Sequence, residues 1–241
     1  MLPSFDLNKI KFSTDKATFE KAVDLYEKGK VKEFKGEFGG FSAQVEGGNL
    51  YHVAIEAKRF GYGSCDCYMG QNDYLCKHMI AVALYAVFKG KPLSEEDKKA
   101  NFSPKCSGRS GELSEEELKV VRNSINEANR YIKAYTGPSR IWFDYQNSLS
   151  EGCNRLSTIV SELPVSLQAA DLIVKLLLRL DRKLQTGGVD DSDGTVGGFI
   201  EEAVLVLQEF AKLDKTCIKS FKELAGVETC FGWEEPLLKI K

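Results

Sequence analysis

Cys65-Asp66-Cys67, followed after eight residues by Cys76-Lys77-His78, is the stretch that decides the fold of this chain. It gathers three of the seven cysteines and one of the two histidines among 241 residues. Cys65 and Cys67 point to the same side if their segment is extended, because side chains alternate there. Thiolate and imidazole are donors that Zn²⁺ prefers, and four of them complete a tetrahedral structural site. The sequence therefore predicts a closed zinc site with four ligands: Cys65, Cys67, Cys76 and His78.

Two other uses of these residues stay open at the level of sequence. A catalytic zinc needs three protein ligands, an open position and a nearby general base. Asp66 and Asp73 are the nearest acids, and the count of four donors favours the structural site over a catalytic one. The remaining alternative is a redox or packing role for the cysteines without a metal.

The residues before the cysteines predict a helix and then a small sheet. Residues 15–29 combine a capping aspartate, apolar residues at three- and four-residue spacing and a final glycine, as an amphipathic helix does. Gly-Gly and Gly-Asn pairs then separate three extended runs, and such pairs are typical of hairpin turns. In the third run apolar residues alternate with mostly polar ones, so that one face packs and the other is wet. We expect an antiparallel meander formed by residues 31–38, 41–45 and 50–58.

The residues after His78 predict helices only. Residues 79–88 are almost entirely apolar and end before Gly90 and Pro92, as a buried helix does. Glycines, prolines and a polar run indicate a linker over residues 92–113. Capping signals and apolar spacing then predict helices from Ser114 to the Gly137-Pro138 pair and over residues 141–163, 166–184, 199–213 and 216–225. The predicted fold class is α+β: a small zinc-clamped antiparallel β-meander with flanking helices (residues 1–91), then an all-α helical bundle (residues 114–241).

Composition and charge predict a globular protein inside the cell. Hydrophobic residues make up 43% of the chain, which is enough to form a core. The formal net charge is only −2, so the chain lacks the strong positive charge that is typical of nucleic-acid-binding proteins. The first residues lack the features of a secretion signal, and no apolar run approaches the roughly 18 residues of a membrane span. Four further cysteines are widely scattered, which favours free thiols over disulfides: Cys106, Cys153, Cys217 and Cys230. We expect a soluble, cytoplasmic protein that has no membrane partner.

The pattern CxCx8CxH, preceded by strands and followed by a hydrophobic helix, resembles the SWIM zinc finger. The resemblance implies that the four residues of the pattern are zinc ligands. Members of this family are associated with DNA binding and protein–protein interaction, and they occur in proteins of many functions. Since no GxxxxGK[ST] phosphate loop accompanies the pattern, the chain looks like a stand-alone, bacterial-like form without an ATPase domain. The resemblance implies a protein partner, such as an ATPase that is encoded separately.

Basic and aromatic residues near the cysteines suggest contact with nucleic acid. Lys58, Arg59 and Lys77 can bind phosphates. Four aromatic residues can stack on unpaired bases: Phe60, Tyr62, Tyr68 and Tyr74. The alternative is that Phe60 and Tyr62 pack beside the zinc and the lysines are ordinary solvated surface. Because residues 1–91 carry 13 basic and 11 acidic residues, a net charge of +2, we expect DNA binding to be weak and sensitive to salt.

Other signals give no catalytic set. Residues 189–194 hold three aspartates but fail the pattern of a calcium-binding EF-hand, so we expect a mobile loop there. The aromatic groups in residues 142–145 and 230–238 are expected to pack the bundle, with partner docking as the alternative. The sequence thus predicts a non-enzymatic, zinc-binding module for DNA interaction, protein interaction or both. The alternative is an enzyme whose site lies in the helical half or at an open zinc position.

Overall fold

The structure is a computed structural model that describes residues 2–99, 102–138 and 142–240, without the side chains of Phe143 and Asp144. Its contacts divide the chain into two compact units, Met1–Ala100 and Asn101–Lys241. The linker predicted over residues 92–113 lies across the junction of these units. Within the described residues, no helix combines the length and the apolar character that crossing a membrane requires.

The first unit is an antiparallel sheet with flanking helices, as predicted. Its elements are α1 (Leu7–Phe12), α2 (Lys16–Glu27), β1 (Val31–Glu37), β2 (Gly40–Glu46), β3 (Leu50–Glu56), β4 (Ser64–Cys65), α3 (Tyr68–Gln71), α4 (Lys77–Phe88) and α5 (Glu95–Lys98). The strands pair in the order β1-β2-β3-β4, each antiparallel to its neighbour. In β3, Val53 and Ile55 are buried whereas His52 and Glu56 are exposed, which confirms the predicted alternation. The short elements α1, β4, α3 and α5 were not predicted.

Helix α4 is the centre of the first unit. It contacts α1, α2 and all four strands. Its residues from His78 to Leu84 are all buried, because nearly every side chain on every face of this helix is apolar. Packing on all sides fixes the first turn of α4 relative to the sheet, and that turn carries one of the four candidate ligands.

The second unit is helical, as predicted. One continuous core joins its helices, and Leu149, Leu177 and Phe210 in the centre of this core have no exposed surface. Its elements are α6 (Glu115–Asn129), α7 (Trp142–Glu162), α8 (Leu167–Gln185), α9 (Thr195–Leu213), a 3₁₀ helix (Lys215–Leu224) and α10 (Glu235–Leu238).

The end of α6 differs from the prediction. The helix stops at Asn129 instead of running towards Gly137. Lys183, from α8, donates to the carbonyl of Asn129 at 2.7 Å and also to that of Ile132. A side-chain donor thus satisfies carbonyl groups that a longer helix would have to satisfy itself. The predicted start of the next helix, Ile141, lies outside the described residues.

Two later boundaries also differ. Helix α9 begins at Thr195 instead of near residue 199. The cause is Asp191, whose carboxylate accepts hydrogen bonds from the amides of Val196 and Gly197 at 2.7 and 2.8 Å. A carboxylate in this position caps the first turn, and two glycines do not prevent the helix from starting there. The α-helix predicted over residues 216–225 is instead the 3₁₀ helix.

Candidate metal centre

Three adjacent elements position the four predicted ligands. Cys65 ends β4 and pairs with Val53 of β3. Cys67 and Cys76 occupy the N-cap positions of α3 and α4, and only the side chain of Cys67 accepts a capping hydrogen bond from its helix. His78 is the second residue of α4. The sheet edge and two helix N-termini therefore meet at one point, which the spacing of the motif alone did not reveal.

Close packing of α3 on β4 brings the first two ligands together. A Cβ atom on Gly70 would lie 2.3 Å from the carbonyl oxygen of Cys65 and 2.6 Å from its Cβ, so only glycine allows this approach. The amide of Gly70 donates to the sulfur of Cys67 at 3.4 Å. This hydrogen bond holds the side chain of Cys67 at the N-terminus of α3, beside Cys65.

The geometry of the four donors fits a tetrahedral metal ion. All four residues are buried, with between 3% and 7% of their surface exposed, and their ligand atoms all lie within 4.8 Å of one another. Nδ1 of His78 lies 3.7 Å from the sulfur of Cys65 and 3.8 Å from that of Cys76. In a tetrahedron with metal–sulfur and metal–nitrogen distances of about 2.3 and 2.05 Å, this separation is about 3.6 Å. The donors are thus already arranged as a metal requires.

Contact between two of the sulfurs separates the pKa values of their thiols. The hydrogen bond with Cys65 is the largest cause that lowers the pKa of Cys76, and hydrogen bonds with His78 and the amide of Met79 also lower it, against the effect of burial. The same contact, together with burial, raises the pKa of Cys65. Three buried thiolates repel one another unless positive charge lies between them. The donor set therefore favours a bound cation.

The acids near the site have other positions and partners. The carboxylate of Asp66 accepts from the backbone amide of His52 and lies 3.1 Å from its Nδ1. Asp73 has a left-handed backbone with φ of 61° and is exposed. Asp66, the nearest acid in the sequence, is thus held by an exposed histidine on β3.

The residues predicted to contact nucleic acid differ in their surroundings. Phe60 is buried and packs edge-on against Phe5, with 5.0 Å between ring centroids. Arg59 places its guanidinium 4.2 Å from the ring centre of Tyr62, which is 47% exposed. Lys58 is exposed and Lys77 is half-buried. Phe60 is thus packed in the interior, whereas Arg59 and Tyr62 form a pair at the surface.

Two residues beside the ligands were not identified from the sequence. Tyr51 stacks on the imidazole of His78, with 4.3 Å between the ring centroids. Gly47 lies so close that a Cβ atom there would be 3.0 Å from Nε2 of His78. The alternation of β3 identified Tyr51 as inward-facing but did not show what it touches, and Gly47 looked like a turn residue only.

The four scattered cysteines are free. Cys153 and Cys217 are buried in the second unit, Cys106 is half-buried and Cys230 is exposed. Burial raises the pKa of Cys153 and raises that of Cys217 to about 11. Buried thiols that stay protonated behave as small apolar groups, as expected from the sequence.

Comparison with known proteins identifies the segment around the site. A search of the curated proteins and a search of the solved structures each found no match. Residues 51–87 match the SWIM zinc finger family, a segment that includes most of β3, all of β4 and α3, and nearly all of α4. This segment of the chain is therefore a SWIM zinc finger, whose four metal donors are Cys65, Cys67, Cys76 and His78.

Proposed function

We propose that the protein is a zinc-stabilised, non-enzymatic interaction module that binds a protein partner through the loop between its two ligand pairs. This segment, residues 68–75, consists of α3 and the four residues after it and is called the metal loop below. The observation that carries the proposal is the exposure of its large apolar side chains: Tyr68 is 80% exposed, Tyr74 52% and Met69 45%. Tyrosine and methionine are enriched in protein interfaces, and neighbouring exposed apolar residues are a mark of interaction sites.

Charge favours a protein over a nucleic acid as the partner of the metal loop. Asp73 is the single charged residue among residues 68–75. A surface that binds phosphates needs lysine or arginine, whereas the core of a protein interface is poor in charge. By the family resemblance, an ATPase that is encoded separately is a candidate partner, and the cytoplasm is the proposed location.

Zn²⁺ is the proposed ion. Three thiolates and one imidazole in a tetrahedral arrangement suit zinc, and four protein donors leave no position for substrate. Elemental analysis of the purified protein is expected to give one zinc per chain. Cys67→Ser and Cys76→Ser should abolish this zinc content, while the matched control Cys106→Ser keeps it. Another metal, or no metal in the wild-type protein, would contradict the proposal.

If the protein is an enzyme, its active site could lie in one of two places. At the zinc it needs an open coordination position, and four buried donors argue against one. In the second unit, a cleft of about 280 Å³ is lined by Cys153, Asn154 and Glu202 among others, but burial raises the pKa of Cys153 and leaves this thiol a poor nucleophile near neutral pH. A zinc-bound water that titrates near pH 7 would favour the enzyme instead.

The partner is tested by affinity capture from the native cell, with variants that separate the metal loop from other exposed apolar residues. A double change, Tyr68→Ser with Met69→Ser, is compared with Leu205→Ser, a control on α9 where the leucine is 60% exposed. The proposal predicts a protein that the double variant loses and the control retains. Titration with that purified protein should then show affinity weakened by more than about tenfold. Equal recovery with all variants would refute the proposal.

DNA binding is a second candidate, favoured by the exposed pair of Arg59 and Tyr62. If Lys58, Arg59 and Lys77 each contact a phosphate, log K should fall with log[salt] with a slope of about −2.7 for double-stranded DNA and about −2.1 for single-stranded DNA. Fluorescence anisotropy with labelled single- and double-stranded oligonucleotides measures this slope. Lys58→Ala should make the slope shallower by about 1, and Lys119→Ala in the second unit should not change it. Absence of binding at low salt would exclude this candidate.

A further inference from the structure

No residue that the structure describes gives the imidazole of His78 the hydrogen-bonded support that a metal-binding histidine usually has. In most sites the nitrogen that does not bind the metal donates its proton to a carboxylate, a carbonyl or a water, and this bond fixes the orientation of the ring. In His78, Nδ1 faces the sulfurs of Cys65 and Cys76. Nε2 is buried and has no hydrogen-bond partner among the described residues. Among the described residues, contacts other than a hydrogen bond from Nε2 therefore hold this ring.

Two contacts enclose the ring from the hairpin between β2 and β3. The ring of Tyr51 stacks on the imidazole at 4.3 Å, with an angle of 27° between the two planes. Gly47 comes close to both rings: a Cβ atom there would lie 3.0 Å from Nε2 of His78 and 3.0 Å from a carbon of the Tyr51 ring. These contacts are steric and aromatic, so they restrict rotation of the imidazole without accepting its proton.

The backbone does not explain why residue 47 is glycine. Gly47 and its neighbour Gly48 are both absent from the glycines with left-handed φ. A Cβ atom on Gly48 would meet nothing within 4 Å. The two glycines therefore share one hairpin and differ in their contact with His78, which makes Gly48 a natural control.

We propose that Gly47 and Tyr51 are positioning residues for His78, which hold the ring so that Nδ1 binds the metal and Nε2 keeps the proton. This inference rests on the proposed function of the site in binding a metal. It assigns the ligand nitrogen and gives the hairpin a role that neither the motif nor the family match specifies. The clearance at Gly47 leaves room for a bare Nε2–H, and the stacking of Tyr51 fixes the plane of the ring.

The first test compares the two glycines in the full-length protein. Zinc affinity is measured by competition with a chromophoric chelator. Gly47→Ala should weaken it by roughly 10- to 100-fold, the range found when groups that orient a ligand are lost, while Gly48→Ala should change it by less than about twofold. Equal effects of the two substitutions would overturn the proposal.

The second test separates positioning from folding. Tyr51→Leu removes the stacked ring and should weaken zinc affinity, and Tyr51→Phe, which keeps the ring, should restore it. The restored affinity would show that the aromatic face, and not the hydroxyl group, is what matters. Loss of affinity with both substitutions, or with neither, would contradict the role given to Tyr51.

The third test needs no variant. The chain has only two histidines, so ¹⁵N-labelled imidazoles are readily distinguished by long-range ¹H–¹⁵N correlation in the zinc-loaded protein. His78 should show a metal-bound Nδ1 and a protonated Nε2. A metal-bound Nε2 would overturn the proposal while leaving the zinc site itself intact. A wild-type protein that binds no zinc would overturn both.

Discussion

Loss of the metal should unfold the first unit selectively. The decisive perturbation is to vary the concentration of free Zn²⁺ with a metal buffer and to repeat the measurement on Cys76→Ser. Cys76 is 3% exposed and starts α4, the helix on which every strand of the first unit packs. Without the metal, the N-terminus of α4 is no longer joined to β4 and α3.

The size of the effect follows from one ion held by four donors in one unit. Structural zinc binding is worth about 10–16 kcal/mol in small peptides, which is comparable to the roughly 5–15 kcal/mol that stabilises a whole domain. A ligand that binds only the folded state raises the free energy of unfolding by RT ln(1 + [L]/Kd). For one ion this amounts to about 1.4 kcal/mol for each tenfold increase in free Zn²⁺ above Kd.

The assay follows the two units separately. Trp142 and Trp233 are the only tryptophans of the chain and both belong to the second unit, so their fluorescence reports that unit during denaturant unfolding. Hydrogen exchange of buried amides in α4, such as those of Val82 and Leu84, reports the first unit. The α4 signals should follow free Zn²⁺ with the slope given above, and the tryptophan signals should not. The reasoning would be refuted if the stability of the first unit did not change with free Zn²⁺. It would also be refuted if Cys76→Ser showed the same dependence of stability on free Zn²⁺ as the wild-type protein.

Three further predictions concern other parts of the molecule. Gly70→Ala should weaken zinc binding by roughly tenfold or more in chelator competition, because α3 must move away from β4; Gly61→Ala, where a Cβ atom meets nothing within 4 Å, is the control. Leu177→Ala should destabilise the second unit by about 2–5 kcal/mol in denaturant unfolding, since this side chain is 0% exposed. The backbone amide of Ser114 lowers the pKa of the Glu117 carboxyl in the folded state. The stability that this hydrogen bond contributes is therefore present above the unfolded pKa and is lost as pH falls through the folded pKa. When the free energy of unfolding is measured against pH, this pH-dependent contribution should be missing in Glu117→Gln.

The elements that the sequence predicted are those whose own residues determine them. The alternation from Tyr51 onwards identified β3, and the capping box at Ser114 identified the start of α6, because period and caps act within a few residues. The four ligands could also be identified from local sequence, because cysteines and a histidine at such short spacing are typical of metal sites. The fold class followed from the order of these elements along the chain.

What the sequence missed depends on contacts between distant segments. β4 has two residues, too few to show any period, and exists because Cys65 pairs with Val53. The end of α6 is set by a lysine on α8, about 50 residues further along the chain. The contacts of Gly47 and Tyr51 with His78 also join distant segments, since nothing in the local pattern of the hairpin relates Gly47 to a histidine on α4.

The central position of α4 determines how the finger can be isolated. The family match begins at residue 51 and thus omits α1, α2, β1 and β2, which cover much of the surface of α4. A peptide cut at the limits of the match would expose apolar faces of this helix to water, and it should aggregate even when loaded with zinc. Expression should instead run from before α1 through α5, where Lys98 forms an ion pair with Glu27 of α2 at 2.7 Å. The segment that matches the family is therefore shorter than the segment that should fold as an isolated domain.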